Sequence, residues 1–175
     1  MVNGPPLARF DLIDHHGRRV TETDFAASFK LVYFGFTHCR VVCPRSLTKL
    51  SRALDALGKQ AENIQALYIT VDPARDTPER MREHLTHNYP RFTGLTGSQE
   101  EIDAAKKAFR VFAERKADPE DPDGYAVPHS AISYLMAPGG QYCTHFLDVL
   151  DEREIIAGIT IAMSKLERNL DSRTT

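Results

Sequence analysis

Cys39 and Cys43, separated by three residues, are the pair in this 175-residue chain whose type and spacing could do chemistry. On a helix, residues four apart share one face, near enough for two thiols to clasp one ion. Pro44 follows the second cysteine, and proline is tolerated in a helix's first turn, so a helix is expected to begin near Cys43. Free backbone N–H groups and the helix dipole at such a start favour a thiolate. Two thiolates are soft ligands, which select Cu(I) and then zinc among common biological metals. The same pair could instead work as a dithiol, with Cys39 as nucleophile and Cys43 as resolving thiol. A disulfide across C-x-x-x-C needs the Cα atoms within about 7 Å. Thioredoxin-like redox enzymes use the shorter C-x-x-C.

A structural zinc site usually takes four protein ligands, and only two lie close in sequence here, so a metal needs a third from elsewhere. His129, in Tyr125-Ala126-Val127-Pro128-His129-Ser130, stands where a loop enters a strand. Position alone leaves a ligand and a satisfied structural histidine both open. His38 is a rival, but as the neighbour of Cys39 it points away and is expected behind the ligands. Cys143 and His145 share a strand face and read as a small buried thiol beside a surface histidine. The pairs His15/His16, in a turn, and His84/His87, on a helix, read as solvated residues. The acidic loop Asp118–Gly124 lacks the spacing and closing Glu of a calcium-binding EF-hand loop and reads as a solvated excursion.

The elements that must position these residues follow from the apolar pattern. Leu31–Phe36 reads as a buried strand, and Leu47, Leu50, Ala53, Leu54 and Leu57 as the apolar face of a helix closed by Gly58. Gln65–Val71 is a second strand. Thr77-Pro78-Glu79 starts a helix running to about Asn88. Phe92–Leu95 reads as a short strand or turn, and Ser98 with Glu101 boxes a helix expected to reach Phe112. Ser130–Ala137 and Gln141–Phe146 form a hairpin around Pro138-Gly139-Gly140, and Asp151 with Glu154 boxes a final helix. Leu7–Ile13 and Arg18–Val20 read as an N-terminal hairpin, followed by a helical turn at Thr23–Phe25. This order predicts an α/β, thioredoxin-like fold: a central mixed sheet flanked by helices, with an N-terminal β-hairpin and an inserted helix. Residues 1–175 are expected to form one domain with its core at about 7–168. In such a fold the loop after the first core strand carries the chemistry, and the cysteines are on that loop.

Composition narrows the function. Basic and acidic residues number 22 and 24, a formal charge of −2, which gives no nucleic-acid footprint. No apolar run approaches a membrane span, and no signal peptide precedes Asn3. The start Met1-Val2-Asn3-Gly4-Pro5-Pro6 fits a cytosolic chain or an exported domain without its leader. Three cysteines do not make a disulfide-stapled scaffold; a close pair and a stray fit redox or metal work. A peroxidase would want a Thr and a Pro arranged ahead of its cysteine, a pattern that Thr37, two residues before Cys39, does not meet. A structural or redox-signalling domain is the remaining alternative.

With these residues assembled, the chain resembles the Sco/SenC family. The matching blocks are YFGFTHC-x-x-x-CP (Tyr33–Pro44), ITVDPARDTPE (Ile69–Glu79) and Tyr125-x-Val127-x-His129-Ser130. The resemblance implies a thioredoxin-like fold and a copper metallochaperone. It implies delivery of Cu(I), or Cu(II), to the CuA centre on cytochrome c oxidase subunit II, or to another copper acceptor, after loading by a copper donor chaperone. It implies Cys39, Cys43 and His129 as ligands, and Asp72 at an acidic position near the metal loop, behind the ligands or facing a partner. It implies the periplasmic side of the inner membrane or the mitochondrial intermembrane space, with membrane attachment only through an N-terminal anchor missing from this chain. The alternative is a thiol–disulfide oxidoreductase that reduces the acceptor's cysteines through Cys39 and Cys43. Three features depart from the family pattern: Arg40-Val41 stands where Pro-Asp is usual, Pro128 where Asp is usual, and Cys143 is extra.

Overall fold

A computed structural model describes residues 6–171, so the Met1–Pro5 start lies outside the described residues. Strands β1 (Asp11–Asp14) and β2 (Arg19–Thr21) form the N-terminal hairpin, and a 3-10 turn follows at Glu22–Phe25. Then come β3 (Phe29–Gly35), α1 (Val42–Leu57), β4 (Ile64–Thr70), α2 (Pro78–Asn88), β5 (Phe92–Thr96) and α3 (Gln99–Phe109). The chain continues through β6 (Lys116–Ala117), β7 (Tyr125–Ala126), β8 (Ile132–Met136), β9 (Tyr142–Leu147) and α4 (Glu152–Asp171).

The main sheet has seven strands in the order β2-β1-β5-β4-β3-β8-β9. Its centre is parallel, β3 beside β4 beside β5, and the flanks are antiparallel. A parallel centre needs cover on both faces, which is why β3 and β4 read as near-continuous apolar runs. All seven residues of β3 are buried. One of them is Lys30, whose Nζ donates to the carbonyls of Phe25 and Ser28, each at 2.9 Å. Helix α1 buries Leu47, Leu50, Ala53, Leu54 and Leu57 and packs on α4; α2 packs on β5, and α3 on β1. The Ile155, Ile159 and Met163 face of α4 joins the same core.

The local signals explain most boundaries. Thr77 accepts from the Arg80 N–H and Pro78 opens α2. Ser98 and Glu101 close a full capping box on α3, and Asp151 and Glu154 exchange bonds of 2.8 and 2.9 Å at the start of α4. Helix α3 stops three residues before the expected Phe112. Arg110 turns left-handed at φ 59°, and the Val111 N–H bonds back to the Lys106 carbonyl, a Schellman ending. An arginine in the place that glycine usually takes gave the sequence no stop signal. The β6–β7 ladder framing the acidic loop also has no sequence signature, being two residues per strand.

Candidate metal centre

Strand β3 delivers the chain to the site and α1 carries it away. After Gly35, Phe36 and Thr37 stay buried, and the Cys39 N–H turns back to the Phe36 carbonyl at 3.1 Å. Helix α1 then starts at Val42 without a side-chain cap from Val41. The Cys39 sulfur takes that part: it accepts from the Cys43 N–H at 3.4 Å, and the Val41 and Val42 amides also face it. Unpaired amides at a helix start stabilise negative charge. A hydrogen bond from the Cys43 thiol contributes most, and together these donors hold Cys39 down at about 5 against an ordinary 9.0. Cys39 is half-buried, a thiolate at neutral pH. Cys43 is fully buried, and its thiol is pushed up, first by donating to Cys39 and then by burial.

His129 arrives on the other side. The segment 128–130 lies antiparallel to 112–114, with Ala113 and His129 bridged, the Glu114 N–H on the Pro128 carbonyl and the Ser130 N–H on the Phe112 carbonyl. Its Nδ1 sits 2.9 Å from the Val127 carbonyl. A carbonyl only accepts, so Nδ1 carries the proton and Nε2 presents a lone pair. That Nε2 stands 3.7 Å from Cys43 Sγ. The ring packs edge-on against Phe36 and Tyr33, with centroids at 5.7 and 6.5 Å. Cys39, Phe36, Val42, Val127, Pro128 and His129 line a groove of about 330 Å³. Fold and local bonding thus bring together the two cysteines and the histidine singled out from sequence. They are linked through Cys43 and are not posed as a finished cage: among the described residues no three His, Cys, Asp or Glu are set to enclose an ion.

The surroundings fix the loop. Asp76, fully buried, accepts from Thr37 N–H at 3.1 Å, Thr37 Oγ1 at 2.6 Å and Thr70 Oγ1 at 2.7 Å. Burial nonetheless raises its carboxyl. Asp72 is buried too, taking the Tyr125 hydroxyl at 3.0 Å and Arg75 at 2.5 Å, so it holds the loop and does not face a partner. Arg75 lies over the Tyr125 ring at 3.8 Å and pairs with Asp121, which is buried within the acidic loop expected to be solvated. Arg40 reaches the same loop, donating to Asp118 and to the Glu120 carbonyl, each at 3.1 Å.

Other expectations change. His15 is buried, accepting from the Gly94 N–H at 2.9 Å, where a solvated turn residue was expected. His84 is half-buried against Tyr68 and Tyr89, whereas His87 is exposed. His38 is half-buried, with its Nδ1 3.2 Å from Thr37 Oγ1. Cys143 is half-buried and His145 exposed, its Nδ1 bonded to the Tyr142 hydroxyl.

A family profile described as SCO1/SenC matches residues 4–164. The chain belongs to the SCO1/SenC family. It is similar to protein sco1 of Schizosaccharomyces pombe, 46% identical over 140 residues, covering 78% of this chain and 53% of that protein. It is similar to the human mitochondrial SCO1 homolog, 36% identical over 165 residues, covering 93% of this chain and 53% of that one. The chain therefore spans about half the length of these curated relatives. Among solved structures, copper-bound ScoI of Arabidopsis thaliana superposes with a TM-score of 0.85 at 33% identity, over 91% of this chain and 98% of that one. The fold is thus that of the Sco proteins. No described helix of this SCO1/SenC chain is long and apolar enough to cross a membrane.

Proposed function

We propose that this chain is a copper metallochaperone that holds one copper ion on the Cys39 and Cys43 thiolates and His129 Nε2. It would pass the ion to the CuA centre on cytochrome c oxidase subunit II during assembly. The observation carrying this reading is the lone pair of His129 Nε2, fixed by the Val127 carbonyl and standing 3.7 Å from Cys43 Sγ. Its support is membership of a family with a copper-bound solved relative. Two soft sulfurs and one imidazole suit Cu(I), and the same set can hold Cu(II). Binding displaces the Cys43 proton, so loading is linked to proton release. Cys39 faces the groove, so an acceptor thiolate or imidazole can add to the three-coordinate ion while a bond to this chain breaks. A copper donor chaperone would reload it. One relative is a mitochondrial protein, and in this reading the chain works in the intermembrane space or, in a bacterium, on the periplasmic side of the inner membrane. Residues 1–175 act as one domain in this reading.

The experiment is transfer: copper-loaded protein is mixed with a metal-free, reduced CuA domain. Appearance of the CuA absorption, lost with His129→Ala, supports the proposal; copper that never leaves counts against it.

The Cys39 thiolate also favours a second reading, a thiol–disulfide oxidoreductase. Cys39 would attack an acceptor disulfide, releasing one acceptor thiol; Cys43 would then displace the second, leaving the acceptor reduced and Cys39–Cys43 oxidised. This role does not need His129, so activity retained by His129→Ala separates the two.

A further inference from the structure

Two buried phenols converge on Cys43, and neither belongs to the ligand set. Strands β3 and β4 pair in register, placing Tyr33 opposite Tyr68, and the two rings lie nearly parallel, 7° apart, with centroids at 6.1 Å. The Tyr33 hydroxyl donates to Cys43 Sγ at 3.9 Å, a long bond even for sulfur. The Tyr68 hydroxyl is fully buried, has no partner within hydrogen-bond geometry among the described residues, and has Cys43 as the side chain it interacts with most closely in polar terms. Gly35 shows where it points. Successive strand residues alternate faces, so Gly35 shares the face of Tyr33. A Cβ there would stand 2.7 Å from the Tyr68 hydroxyl and 2.8 Å from Cys43 Sγ. The missing side chain is the gap in which phenol and sulfur face each other.

A buried hydroxyl without a partner destabilises a protein, and a protein rarely keeps one without a use in another state. A neutral thiol sulfur is a weak acceptor; a thiolate is a strong one. Burial raises both phenols, so they remain donors throughout the physiological range.

We infer that Tyr33 and Tyr68 are positioning residues for the metal-bound state, donating two O–H hydrogen bonds to Cys43 Sγ when copper has displaced its proton. The Tyr68 hydroxyl, which finds no well-placed acceptor in a protonated Cys43, is then the second donor. This rests on the copper reading above. It assigns the two sulfurs unequal parts: Cys39 is served by helix amides at the groove, and Cys43 by phenols in the core. Hydrogen bonds to a thiolate lower its donor strength, so Cys43 would be anchored but weakly donating.

The test compares wild type with Tyr68→Phe, Tyr33→Phe and the double variant, in the full chain. Three quantities are read: metal-free thermal midpoint, Cu(I) affinity against a competing chelator, and the energy of the sulfur-to-Cu(II) charge-transfer band. Tyr68→Phe removes an unsatisfied hydroxyl, so its metal-free midpoint holds or rises while Cu(I) affinity falls about tenfold, the scale of one hydrogen bond to a charged group. The band moves to longer wavelength, because the sulfur electrons are no longer held down. A variant that loses thermal stability in step with affinity, with the band unmoved, would show a packing role and overturn the inference. So would affinity and band both unchanged. Wild type that bound no copper would overturn the metallochaperone reading and this inference with it. Wild type that binds, beside an indifferent Tyr68→Phe, overturns this inference alone.

Discussion

Removing the Cys43 thiol tests how the site holds Cys39 as a thiolate. The hydrogen bond from Cys43 is the largest cause holding Cys39 at about 5, ahead of the three backbone amides. A hydrogen bond to a charged group contributes about 1.5–3 kcal/mol. One pKa unit corresponds to about 1.4 kcal/mol, so Cys43→Ala moves the Cys39 midpoint up by about one to two units. A thiol with its midpoint near 5 is about 99% thiolate at pH 7, and the variant falls to between about half and nine-tenths. The assay is the rate of iodoacetamide alkylation against pH, on reduced, metal-free protein carrying Cys143→Ser. The rate for the parent titrates near pH 5; for Cys43→Ala it titrates between about pH 6 and 7. A parent midpoint near 8.5, or one unmoved by Cys43→Ala, would refute the reasoning. The same shift has a stability signature. A depressed thiol stabilises the fold above its ordinary 9.0 and loses that contribution as pH falls toward about 5. Cys43, shifted upward, changes stability only above its ordinary value, so acid loss across that window belongs to Cys39 among the pair.

Three further substitutions probe the frame. Gly35→Ala puts a methyl 2.8 Å from Cys43 Sγ and 2.6 Å from the Tyr68 ring, and should cost about 1–3 kcal/mol in chemical denaturation and weaken metal binding. Asp76→Ala strands the Thr37 amide and hydroxyl and the Thr70 hydroxyl, all buried; a loss of about 3 kcal/mol is expected, with Cys39 alkylation no longer confined to a sharp pH midpoint. Arg40→Ala frees the acidic loop from the cysteine loop; its exposed pairing with Asp118 makes the stability change under about 1 kcal/mol, while copper extraction by a chelator quickens and loses its salt dependence.

Much of this site was legible because its signals are local. The run into Gly35, the C-x-x-x-C pair with Pro44 behind it, and the Thr77-Pro78 start each act within a few residues, and the structure keeps them. His129 could be placed beside the cysteines because a thioredoxin-like order brings the loop before β8 to the end of β3. What stayed hidden depends on register and packing. Tyr33 and Tyr68 look like ordinary core aromatics until pairing sets them opposite each other and Gly35 opens the gap to Cys43. The tyrosine–glycine alternation before the cysteines was the available signal. His15 and His84 read as solvated in the sequence because their burial comes from Gly94 and from Tyr68, residues distant along the chain. Arg40 gave a charge without a partner until the acidic loop folded onto it.

The proposed copper site holds the ion on two sulfurs and one imidazole. The most direct measurement is titration of Cu(I) into reduced protein against a competing chelator, beside Cys39→Ser, Cys43→Ser and His129→Ala. One copper bound per chain, with affinity reduced by each of the three substitutions, is the predicted result. Binding that ignored His129, or a stoichiometry carried by Cys143, would contradict it.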